Sequence, residues 1–96
     1  MGATYRFTTE LWEWEARANW FFVTLPVDAA AEIRDLPLPP RGFGSIPVRV
    51  RIGSAAFDTS IFPTVDSFVL PVKRAVRVRE GLERGDPVAV ELEVVE

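Results

Sequence analysis

The chain has 96 residues, 48% hydrophobic and 26% charged, the size and balance of one small folded domain spanning 1–96. Its formal net charge is 11 − 14 = −3, which argues against nucleic acid as a whole-surface partner. Cysteine and histidine are both absent, which excludes disulfides, thiolate nucleophiles, imidazole bases and every Cys/His zinc pattern.

Residues 5–14 read as a strand, with Tyr5, Phe7, Thr9 and Leu11 alternating against Arg6, Thr8 and Glu10. The phase then slips, because Trp12 and Trp14 are apolar where Glu10 was polar. A β-bulge near Leu11–Trp12, or two half-buried faces, accounts for the slip. Ala16 to Asn19 forms a hairpin turn, and residues 20–26 return as a second strand. Its nearly continuous apolar run, Trp20 to Leu25, suggests cover on both faces. Over 27–36 the period changes to that of a short helix, with Asp28 as candidate N-cap and Val27, Ile33 and Leu36 on one face. Residues 37–44, rich in Pro and Gly, form a surface loop.

The cleanest alternation runs over 45–53. Ile46, Val48, Val50 and Ile52 point one way, with Arg49 and Arg51 pointing the other. Gly53-Ser54 is a two-residue turn signal leading to a partner strand over 55–62. A further strand covers 67–72. Residues 73–82 fit a strand or a short helix equally, and 87–95 form the last strand, with Val88, Val90, Leu92 and Val94 inward. About six strands and one or two short helices predict a mainly β fold. A small closed barrel follows, since closure removes the exposed edges of a flat sheet.

The stretches RGFGSIPVRVRIGSAAFDTSIFP and FVLPVKRAVRVREGLERGDPVAVELEV, with the earlier Leu25-Pro26 step, resemble a bacterial domain of unknown function, family number nineteen-hundred-and-five. The resemblance spans most of the chain. It implies a double-split β-barrel, the class that also holds the AbrB/MazE-type regulators. Leu70-Pro71-Val72-Lys73 followed by Gly85-Asp86-Pro87-Val88 is similar to the Ile-Pro-Lys … Gly-Asp-x-Val pattern of those regulators. In other proteins the family's domain sits beside a YdeI-type segment named for bacteriocin protection. The family carries no established activity. In physical terms, Gly85 can take a positive φ and Asp86 can bond nearby backbone amides ahead of the last strand.

Catalysis has little to work with: the base would have to be a carboxylate or Lys73, the sole lysine. Glu10, Glu13 and Glu15 on a strand, or Asp58 and Asp66, do not form a dyad by spacing, and Gly42-Phe43-Gly44 lacks the rest of a phosphate loop. The chain reads as non-enzymatic, with no cofactor and no metal. Binding has more support. Residues 45–84 carry seven basic groups against four acids, or +3, between acidic flanks of −2 and −4. Arg49 and Arg51 project from one side of a strand about 7 Å apart. With Lys73, Arg74 and Arg77 nearby they would hold a carboxylate or phosphate, and Trp12 and Trp14 would supply apolar walls or a dimer contact. The expected partner is a small anionic molecule or a protein. The alternative is an AbrB-like dimeric nucleic-acid-binding regulator, disfavoured because the first strand carries Glu10, Glu13 and Glu15. The N-terminus lacks a basic patch followed by an apolar run, and no stretch approaches the ~18 apolar residues of a membrane span. A cytoplasmic protein, free of the membrane and open to forming a homodimer, is the expectation.

Overall fold

Alternating sequences bury one face of each strand, and here those faces close around a single core. A computed structural model describes residues 3–38 and 44–95. The elements in chain order are β1 (Thr4–Glu10), β2 (Trp12–Glu13), β3 (Phe21–Thr24), α1 (Val27–Arg34), β4 (Ile46–Ile52), β5 (Ala55–Pro63), β6 (Phe68–Pro71), α2 (Arg74–Glu80) and β7 (Pro87–Val94). All strand pairs are antiparallel, in the order β1-β7-β4-β5-β6-β3-β2, and they form a nearly closed seven-stranded barrel. The helix expected over 27–36 and the strands expected over 45–53, 55–62, 67–72 and 87–95 are present within a few residues. Of the loop over 37–44, residues 39–43, and with them Gly42 and Phe43, lie outside the described residues.

Two stretches of chain pass from one half of the barrel to the other. β5 pairs with β4 through Ile61 and then with β6 through Phe62 and Pro63. The first long strand makes the opposite crossing at Leu11. β1 lies against β7, β2 lies against β3, and Leu11 between them is fully buried. The Leu11 N–H donates to the Asp86 carbonyl (2.9 Å), and the Gly85 N–H donates to the Leu11 carbonyl (2.8 Å). The phase slip is therefore a change of partner rather than an extra residue, and it raises the strand count from six to seven. The Thr9 hydroxyl of β1 donates to the Thr24 carbonyl of β3 (3.0 Å), a bond between the first strand of the order and the last but one.

The core is built from Leu11, Val23, Leu25, Ile33, Val48, Val50, Ile61, Leu70, Val72, Val88, Leu92 and Val94, all at most 2% exposed. Each such side chain contributes about 1.5–3 kcal/mol by leaving water. Helix α1 adds Ala30 and Ile33 to the same core. Its N-cap is Pro26, with no side-chain cap bond, so Asp28 sits inside the first turn instead of capping it. There its charge still favours the positive end of the helix. The one buried polar residue among the described residues, Ser67, is satisfied: its hydroxyl donates to the Leu25 carbonyl (2.7 Å).

The ambiguous stretch 73–82 is helix over Arg74–Glu80. Val76 and Leu82 pack half-buried on the core while Val78 points to solvent, and Gly81 ends α2 in the left-handed region (φ 65°). The far end of α2 is latched to the β4–β5 turn. Glu80 accepts from the Ser54 hydroxyl (2.8 Å) and amide (3.2 Å), and Arg79 donates to the same hydroxyl (3.1 Å). Gly85 (φ 92°) and Asp86 form the expected turn into β7, with the Asp86 carboxylate accepting from the Glu83 amide (2.8 Å). Among the described residues, no helix is long and apolar enough to cross a membrane.

Candidate functional site: an aromatic groove with a cationic rim

On β3, Val23 and Leu25 face the core, so Phe22 and Thr24 face outward. On β6, Phe68, Leu70 and Val72 are buried, so Val69 and Pro71 face outward. Register sets these outer residues side by side: Phe22 opposite Pro71, Thr24 opposite Val69, and Phe62 of β5 opposite Val69. The 20–25 run is thus fully covered on one face and only half-covered on the other, a correction to the two-sided cover its composition suggested. Its outer face, with Trp20 and Phe62 each 42% exposed, floors a groove of about 740 Å³.

One end of that groove is cationic. Continuing the register, Trp20 falls level with Lys73, and Lys73, Arg74 and Arg77 all line the groove at this end. The Arg77 guanidinium lies 3.9 Å from the Phe21 ring centroid, and its Nε donates to the Val72 carbonyl (3.2 Å). Arg17 stacks over Trp20 at 4.3 Å. Such contacts hold a guanidinium without neutralising it. Among the described residues, no carboxylate stands within ion-pair distance of Lys73, Arg74 or Arg77.

The five cations expected to act together divide into two sets. Lys73, Arg74 and Arg77 meet in the groove. Arg49 and Arg51 do not line it. They project from the outer face of β4, where cross-strand neighbours share a face. Arg49 lies between Asp58 of β5 and Glu93 of β7, and its Nε is 3.1 Å from the Asp58 carboxylate. Arg51 lies opposite Glu91, which also contacts Arg6 at 3.7 Å. That face is an alternating ladder of charge.

Trp12 and Trp14 are not groove walls themselves. Trp12 packs on Phe22 (5.1 Å between centroids) and donates its indole N–H to the Thr24 hydroxyl (2.9 Å). Trp14 packs on Trp20 (5.8 Å), and the turn between them is held by the Trp14 amide donating to the Trp20 carbonyl (2.8 Å). Both tryptophans buttress the rings that form the floor. Of the floor residues, Trp20 is an aromatic the sequence offers for stacking on a ligand, whereas Phe22, Phe62, Val69 and Pro71 escaped the sequence reading. Only the alternation of 67–72 signals two of them.

The family model described as "Domain of unknown function (DUF1905)" matches residues 7–92. The chain belongs to the DUF1905 family. The matched stretch contains the whole DUF1905 groove, from Asn19 to Arg77. No curated protein matches the chain.

Proposed function

We propose that this DUF1905 domain is a non-enzymatic binding module, whose groove takes an anionic ligand or partner with an apolar body. The observation that carries the reading is the juxtaposition of Lys73, Arg74 and Arg77, without carboxylate partners among the described residues, and a floor of outward aromatic rings. Clefts of this volume, mostly apolar with a few placed charges, are the usual form of small-molecule sites. The sequence offers neither histidine nor cysteine to make the site reactive.

The test is a thermal-shift panel at low salt containing apolar carboxylates, phosphorylated metabolites and a DNA duplex. A ligand at a hundred times its dissociation constant adds ~2.7 kcal/mol. That is a rise of several degrees for a domain of this size. The expected result is a salt-sensitive shift with an anion that disappears in the Lys73→Ala/Arg74→Ala variant. A shift unaffected by that variant, or none with any anion, overturns the reading. A shift with DNA alone transfers it to the regulator-like alternative.

A further inference from the structure

Resting on the anion-binding reading above, we infer that the groove's ligand is a single-chain carboxylate amphiphile. Its carboxylate sits at Lys73 and Arg74, and its chain lies over Phe22, Val69 and Phe62. The DUF1905 groove is charged at one end only. Along the outer face of β6 and its extended continuation to the start of α2 the order is Val69, Pro71, Lys73, so the apolar end and the charged end stand about 13 Å apart. Lys73 is level with Trp20 and is joined at that end by Arg74 and Arg77. At the other end Val69 lies opposite Phe62, whose ring is open to solvent.

A sugar phosphate would press its hydroxyls onto that floor without hydrogen-bond partners, which costs affinity. A compact ring acid would reach the cations and leave Val69 and Phe62 bare. An extended chain ending in one carboxylate matches both ends. The cations supply charge-assisted hydrogen bonds, and the floor covers methylenes.

The test titrates straight-chain carboxylates, from butyrate to palmitate, each below its aggregation concentration, following tryptophan emission at low salt. A fully buried methylene strengthens binding about fourfold, and the open side of the groove reduces this to about twofold per methylene. Affinity should rise with chain length and level off once the chain outgrows the floor. Phe62→Asp should flatten the rise for the longer chains alone. Lys73→Ala/Arg74→Ala should weaken every chain alike, by about tenfold or more. Alkylammonium ions of equal length should not bind. Binding that depends on Lys73 and Arg74 but not on chain length overturns the amphiphile and leaves the broader reading standing. No binding of any carboxylate, alongside salt-sensitive binding of a phosphorylated metabolite, does the same. Equal binding of alkylammonium ions, or binding only to anionic phospholipid vesicles, also overturns the inference. If neither carboxylates nor any other anion respond to the loss of Lys73 and Arg74, both fall together.

Discussion

On the outer face of β4, Arg49 and Arg51 stand opposite carboxylates of neighbouring strands, whereas at the mouth of the groove Lys73, Arg74 and Arg77 stand beside aromatic rings. The same residue types therefore have different consequences. An exposed cation facing a carboxylate contributes at most about 1 kcal/mol and leaves little net field. A set of unmatched cations next to apolar surface attracts an anion and offers it a partly dry place to sit. What separates the two faces is placement: strand register sets carboxylates opposite Arg49 and Arg51, whereas Lys73, Arg74 and Arg77 sit at the start of α2 beside the rings of β3.

The largest effect should come from removing the joint between the two halves. Leu11→Ala opens a cavity where the chain changes partners, and unfolding in denaturant should show a loss of about 2–5 kcal/mol. Next is Gly53→Ala. The glycine is at φ 59°, and a methyl group there would run into the Glu80 carboxylate that latches α2. About 1–3 kcal/mol should be lost. Anion binding should weaken as well, because α2 carries Arg74 and Arg77. Trp12→Phe keeps a ring against Phe22 and removes the bond to Thr24, for about 1 kcal/mol. Arg49→Ala should change stability by no more than about 0.5 kcal/mol and leave binding intact.

The smallest effect concerns pH. Desolvation, and secondarily the Glu32 carboxylate, raise the Tyr5 phenol above its ordinary value of 10.0. A raised folded value favours the neutral phenol in the native state. Its contribution is fully present below the unfolded value and is lost as pH rises through the folded one. Stability measured across the alkaline range should therefore fall less steeply in Tyr5→Phe than in the parent.

Much of the barrel was legible because its strands obey a period of two. The 45–53 alternation names Val48, Val50 and Ile52 as core, and they are buried. The Arg49–Asp58 pair is readable too: counting outward from the two-residue Gly53-Ser54 turn sets Asp58 opposite Arg49. The groove was harder. Trp20, Phe21, Phe22 and Val23 are apolar on both parities, so periodicity cannot say which rings face out; pairing with β6, nearly fifty residues later, decides it. α2 defeats both templates because its apolar residues split between the core and solvent, Val76 half-buried and Val78 exposed. The crossing at Leu11 appears in sequence only as a slip of phase, whose cause is the partner strand on each side.

The most direct measurement is a pair of low-salt laurate titrations, one on Lys73→Ala/Arg74→Ala and one on Arg49→Ala/Arg51→Ala. The rim variant should lose binding while keeping its melting temperature within a few degrees, and the β4 variant should bind like the parent. Equal losses in both, or a loss confined to the β4 variant, would contradict the division of the surface into a matched face and an open one.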